Sequence, residues 1–158
     1  MLRTTASQYG LKTVGDLKKV PNLTLAGFPT FETRWASSLS SLYGVKFDFT
    51  PLAGISAYTL LDQKKVLAAA IFTTDPQLIS TKYVVLKEPR NMFGFQYVAP
   101  VLSRKLVSEN GSNFTSTVNK VSALLSVRAM IAMNKAVALD KKPAASVAKA
   151  FLKANKLL

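Results

Sequence analysis

Seven apolar residues, Val66-Leu67-Ala68-Ala69-Ala70-Ile71-Phe72, follow one another without a polar break, and the chain then turns at Thr73-Thr74-Asp75-Pro76. A run of this length bounded by turn residues predicts a central strand buried on both faces, the habit of parallel sheets. Thr74 or Asp75 is placed to cap the next helix, with Pro76 at its first position. Upstream, residues 8–12 read as a loop, and Thr13 is placed to cap a short helix through Val14, Leu17 and Lys18. Residues 23–27 predict a short strand. Thr30 is then placed as the cap of a helix over 31–42, with Trp35, Leu39 and Leu42 on its buried face. Gly44 supplies the left-handed stop. Residues 45–52 alternate Val45, Phe47 and Phe49 with Lys46, Asp48 and Thr50, as a half-buried strand does.

Residues 54–63 predict a helix with Ile55, Tyr58 and Leu61 on one side. A short helix over 77–80 leads to a fourth strand over 83–86. Residues 95–102 predict a fifth, in which Pro100 marks an edge or a crossing point. From residue 112 the pattern is helical only. Ser112 or Asn113 caps one helix, Ser126 caps a second, and Pro143 opens a third with Val147, Phe151 and Ala154 inward and Lys149, Lys153 and Lys156 outward. Helices with no strand to cover predict a segment built to pack on something else.

Helix and strand in alternation give an α/β fold with a mostly parallel five-stranded sheet covered on both faces. Right-handed crossovers place the starts of successive helices at one edge of it. Residues 28–34 and 72–77 then bring helix amino ends, hydroxyls and Arg34 to the carboxyl edge, where open α/β sheets bind ligands. That arrangement suits an anionic or zwitterionic small molecule.

Composition narrows the chemistry. The 158 residues make one domain or one lobe of something larger, and 49% hydrophobic against 18% charged residues can fill a core. There is no cysteine and no histidine, which removes disulfides, Cys/His zinc sites, Ser-His-Asp triads and Cys-His pairs together. The eight acids are scattered, with no close pair for acid/base work and no oxygen-ligand metal loop. A non-enzymatic protein is expected, with no cofactor and no metal. No apolar run reaches the roughly 18 residues of a membrane span, and Met1-Leu2-Arg3-Thr4-Thr5 has no apolar h-region, so no signal peptide is expected in this chain. The net charge of +13 invites a nucleic-acid reading. The basic residues are spread over helix faces, arginine occurs five times, and no phosphate loop or RNP-type motif is present, so a solvated basic surface is the preferred reading.

Six stretches occur in order: Tyr9-Gly10-Leu11-Lys12-Thr13-Val14-Gly15-Asp16-Leu17, Gly27-Phe28-Pro29-Thr30-Phe31-Glu32-Thr33-Arg34, Tyr43-Gly44-Val45-Lys46-Phe47, Phe72-Thr73-Thr74-Asp75, Val98-Ala99-Pro100-Val101 and Pro143-Ala144-Ala145-Ser146-Val147-Ala148-Lys149-Ala150-Phe151-Leu152. Together they resemble the carboxyl-terminal half of the glycine betaine/choline/carnitine substrate-binding proteins of ABC importers. The resemblance implies a periplasmic-binding-protein-like type II lobe over residues 8–102. Residues 103–158 are implied to form a C-terminal helical segment that packs on the hinge or on a first lobe. The implied function is to hold a quaternary ammonium solute such as glycine betaine or choline between two lobes, of which this chain supplies one. A membrane permease is the implied partner, and the parent protein is implied to be extracytoplasmic.

A trimethylammonium group is held by an aromatic cage through cation–π attraction, and a betaine carboxylate by arginine, hydroxyls or amides. The residue-by-residue resemblance implies Thr30, Arg34, Thr73, Thr74, Asp75, Gln96 and Tyr97 as the ligand-binding set, with Arg34 on the carboxylate and Tyr97 in the cage. Thr30 stands where a glutamate is common in that family. Plainer readings remain open: Thr73-Thr74-Asp75-Pro76 as a helix cap alone, Arg34 as a solvated side chain, Trp35 as core, and Tyr97 facing either way by strand register. Two alternatives of other classes remain as well: a lobe that dimerises through its uncovered surface, and a basic nucleic-acid-binding domain.

Overall fold

The computed structural model describes residues 1–94 and 97–158. The chain divides into two compact units, Met1–Phe72 with Gln77–Gly94, and Thr73–Pro76 with Phe95–Leu158.

In the first unit, β1 (Thr24–Gly27) lies between β2 (Asp48–Pro51) and β3 (Ala68–Ala69), in the order β2-β1-β3, with both pairings parallel. The register sets Leu25 opposite Phe49 and Ala68, and Ala26 opposite Thr50 and Ala69. Successive strand residues face opposite sides. Leu25 accordingly joins a core cluster with Leu17, Leu23, Leu39 and Val45, while Ala26 joins Leu2, Leu60, Leu61 and Val66 on the other side.

The α/β class and parallel pairing stand, but the expected strand count does not. Among the described residues the sheet has three strands. The apolar run at 66–72 contributes only Ala68–Ala69, at an edge, and β1 is the central strand. An apolar run reports burial, and ladder length depends on the partner, here four residues of β1. The expected fourth strand is an extended segment joined to the amino-terminal region by single bridges, Leu2 with Tyr83 and Thr13 with Lys87. Of the expected fifth, Phe95 and Gln96 lie outside the described residues, and 97–102 form no strand.

Helix α1 (Arg3–Tyr9) has no apolar periodicity and was not expected. It is held from outside: the Arg3 amide donates to the Lys82 carbonyl at 2.8 Å, and its Nε donates to the Thr81 carbonyl at 2.6 Å. A 3₁₀ turn, Val14–Lys19, follows where Thr13 was expected to start a helix. There the Asp16 carboxylate accepts from Lys19, from the Thr13 and Lys12 amides and from the Thr13 hydroxyl, which holds its pKa below the usual carboxylate range.

Helix α2 (Pro29–Tyr43) begins two residues before the expected start. Proline is favoured at the first helical position, so Pro29 opens the helix, Phe28 occupies the cap position, and Thr30 sits inside rather than capping. The helix stops at Gly44, whose φ of 66° is the left-handed conformation glycine tolerates. Val45 then turns back so that its amide meets the Leu39 carbonyl. Leu39 is 1% exposed, whereas Leu42, expected on the same buried face, is 40% exposed. Helix α3 (Ala57–Asp62) starts later than expected, capped by Ser56, and Ile55 falls outside it on the surface. Tyr58 of α3 meets Tyr83 edge-on at 4.9 Å. Tyr83 donates its hydroxyl to Asp62, and burial together with that bond pushes its pKa up to about 12. A second 3₁₀ turn, Pro76–Ile79, starts at the expected proline.

In the second unit, α4 (Arg104–Leu124) contains Gly111 at φ 71° and ψ −171°, so it is two helices meeting at a break. The later half begins at the expected Ser112, and the half before the break was not expected. Helix α5 (Val127–Ala138) is capped as expected by Ser126, whose hydroxyl accepts from the Ala129 amide at 3.2 Å. Helix α6 (Ala144–Ala154) follows Pro143 and packs against α5. None of these three helices contains a buried residue.

Leu39→Ala is expected to cost about 3 kcal/mol and Leu42→Ala less than about 1 kcal/mol, because only the first leaves a cavity. Urea denaturation of the two variants checks this difference.

Candidate functional site

Parallel pairing fixes where the loops go. β1 ends at Gly27 and β3 at Ala69, and because Ala26 pairs with Ala69 in parallel both strands deliver their following residues to one edge. The ring of Phe28, just after β1, lies 6.1 Å from the ring of Phe72, which follows β3, tilted by 38°. Both rings are about half exposed, at 49% and 53%. The two loops therefore meet at least as far as these phenylalanines.

Gly27 makes that approach sterically feasible. A Cβ there would lie 3.2 Å from the Phe49 ring, 3.3 Å from the Ala70 Cβ and 3.4 Å from the Phe31 Cβ. The β1 terminus is thus closed on by β2, by the end of β3 and by the first turn of α2.

The sequence-derived site residues fall in both units. Thr30 and Arg34 are exposed on α2 in the first unit. With the helix beginning at Pro29, Arg34 lies in its second turn rather than its first, away from the amino-terminal end of the dipole. Trp35 is half-buried and meets Phe93 edge-on at 5.3 Å, and Phe93 also lies 6.1 Å from Phe31. Thr73, Thr74 and Asp75 form one turn of the second unit, where the Thr74 carbonyl accepts from the Asn134 side chain of α5 at 3.0 Å. Tyr97 belongs to the same unit and is largely exposed. Gln96 lies outside the described residues.

Phe28 and Phe72 were not singled out from the sequence, although each follows a strand run directly at the carboxyl edge. That position was the available signal. A groove of about 510 Å³ runs between α2 and β2, past Glu32, Ser40, Lys46 and Asp48. It lies beside the amino end of β2, away from the phenylalanine pair. Among the described residues no cluster of acidic side chains has the makings of a metal site.

A family model described as the substrate binding domain of ABC-type glycine betaine transport system matches residues 1–154. The chain belongs to this family. It is 30% identical to a glycine-betaine-binding protein of Pseudomonas aeruginosa, over 97% of this chain and 54% of that protein. It is 26% identical to the carnitine transport binding protein OpuCC of Listeria monocytogenes, over 96% of this chain and 50% of that one. A solved structure of a glycine betaine/carnitine/choline ABC transporter superposes with a TM-score of 0.77 at 25% identity, over 99% of this chain and 58% of its own. The chain spans about half the length of the curated relatives it matches.

Gly27→Ala is expected to destabilise the protein by about 1–3 kcal/mol, because three neighbours must move apart. Arg34→Ala is expected to stay within about 0.5 kcal/mol of wild type, as an exposed substitution. Thermal unfolding followed by circular dichroism measures both.

Proposed function

We propose that this chain is the solute-binding half of an osmoprotectant ABC import system, forming one wall of a pocket for a quaternary ammonium compound such as glycine betaine or choline. The family match over residues 1–154 carries the reading. The geometry that supports it is the exposed Phe28–Phe72 pair at the carboxyl edge of the parallel sheet. A quaternary ammonium group has no N–H to donate, and one seated on this pair can lie within about 6 Å of both ring centroids, the range of cation–π attraction. In this reading Arg34 pairs with the solute carboxylate, and Thr30, Thr73, Thr74, Asp75, Gln96 and Tyr97 complete the polar and aromatic lining.

The partner is a membrane permease, and the parent protein works outside the cytoplasm. Residues 8–102 form the ligand-binding lobe. Residues 103–158 pack on the hinge or on a companion lobe. The support for that last assignment is that α4, α5 and α6 contain no buried residue, while Val101 and Val127 stand exposed.

One wall encloses a solute incompletely, so the chain alone is expected to bind weakly, with a Kd of about 1 mM, equivalent to about 4 kcal/mol. Calorimetric titration with glycine betaine, choline and carnitine tests this, with Phe28→Ala and Phe72→Ala each expected to weaken binding by about 2–30-fold. Nanomolar affinity in the isolated chain contradicts the half-site, and no saturable heat from any of the three solutes contradicts the ligand class.

A further inference from the structure

Between the bridged segment at 83–87 and the end of the first unit, the chain makes a tight turn gathered around one carboxylate. Glu88 is half-buried. Its Oε1 accepts from the Tyr43 hydroxyl and from the Arg90 amide at 2.9 Å, its Oε2 accepts from the Met92 amide, and the Phe93 amide also donates to the carboxylate. Tyr43 is the last residue of α2, forty-five positions away in sequence. Its hydroxyl is shared, accepting in turn from the Arg90 amide at 3.1 Å. Arg90 closes the group: its Nη1 donates to the Leu42 carbonyl at 2.6 Å, and its guanidinium lies 5.3 Å from the centre of the Tyr43 ring. The far end of the turn is Phe93, which rests on Phe31 and Trp35 of α2. Those two residues flank Arg34 at i−3 and i+1. One residue later the chain reaches Gly94, at φ 61°, and then the segment that carries Gln96 and Tyr97.

We propose that Glu88 is a positioning residue of the ligand wall: its carboxylate gathers the 88–93 turn onto the end of α2 and thereby sets Phe93 against Phe31 and Trp35, around Arg34. Four donors converge on two oxygens, an arrangement that requires the ionised acceptor-only form of the side chain. A turn that has lost them keeps only the Arg90 contacts with Leu42 and Tyr43 and the Phe93 ring contacts. Tyr43 from α2 is the titratable side chain that bonds the carboxylate, and the Arg90 guanidinium lies nearby on the Leu42 carbonyl and the Tyr43 ring. Burial raises the Glu88 pKa, but the bonds from Tyr43, Arg90, Met92 and Phe93 outweigh it and leave the group below the usual glutamate range. A carboxylate depressed in the folded state gives its full contribution above the unfolded value and loses it as pH falls through the folded one. The turn is therefore released only in acid. The part of the proposal that concerns ligand rests on the function proposed above, and the part that concerns the turn does not.

Trp35 is the only tryptophan in the sequence and packs on Phe93, so it reports the position of the turn. Near-ultraviolet circular dichroism and fluorescence are recorded for wild type, Glu88→Gln, Glu88→Asp and Tyr43→Phe, with the far-ultraviolet spectrum as a check on the fold. Glu88→Gln is expected to lose the Trp35 near-ultraviolet signal and shift its emission to the red with the far-ultraviolet spectrum retained. Tyr43→Phe is expected to do so in part, and Glu88→Asp to recover part of the signal. Wild type is expected to undergo the same change on acidification below the usual glutamate range, and Glu88→Gln to show no such step. Trp35 spectra of Glu88→Gln that coincide with wild type overturn the proposal. If Glu88→Gln does not fold, Tyr43→Phe decides by the same two outcomes. Glycine betaine titration forms a separate arm, in which Glu88→Gln is expected to bind about 3–10-fold more weakly than wild type. A wild type that does not bind counts against the proposed function, and the Trp35 spectra still decide the turn. Equal binding by both, with the Trp35 signal lost, removes Glu88 from the ligand wall.

Discussion

The pairing of β1 with a parallel neighbour on each side is the constraint from which the rest of the first unit follows. A parallel ladder cannot be closed by a hairpin, so each strand must be followed by a crossover that returns the chain to the same starting edge. All the connections that leave the strands therefore depart from one rim. Phe28 and Phe72 end up ring against ring because Ala26 pairs with Ala69, not because either phenylalanine has a strong preference for the other. Ala26 is fully buried, and its small side chain lets α3 and the residues before β3 close over that face of the sheet.

The same rim is also closely packed. A Cβ at Gly27 would crowd Phe49 of β2, Ala70 just after β3 and Phe31 of α2. Close packing at the strand end and exposed rings immediately beyond it are complementary: the first gives the second a rigid base. For the function proposed, such a base is an advantage, because rings that need not be ordered on binding cost less entropy when a ligand arrives.

What could be read from the sequence depended on whether an element carried its own signal. α2, α5 and α6 were legible because apolar spacing was bounded by Gly44 at the end of the first and by Ser126 and Pro143 at the starts of the others, residues whose backbone chemistry acts locally. α1 was not, since Thr4, Thr5 and Ser7 give it no apolar stripe and its anchors are carbonyls some eighty residues away. The length of β3 was over-read for a related reason, as hydrophobicity marks an interior position without saying whether a neighbouring strand is there to pair. Thr30 was misplaced by two residues because a cap signal competed with Pro29, and proline won. In the candidate site, the helix bearing Thr30 and Arg34 and the turn bearing Thr73, Thr74 and Asp75 could be named from motif order. The carboxylate hub at Glu88 could not, because Tyr43 and Glu88 show no relation until the fold brings them together.

The bridge between Leu2 and Tyr83 has a kinetic consequence. Leu2 belongs to the core cluster that also holds Ala26 and Leu61, so one of its two packed faces waits on a segment made some eighty residues afterwards. The strands and α2 can meet while the segment around Leu2 is still unmatched. Closing so wide a loop costs little more entropy than closing a shorter one, but it is slow to find. Leu2 should accordingly be among the last core residues to become protected from solvent exchange, although it is buried in the folded unit.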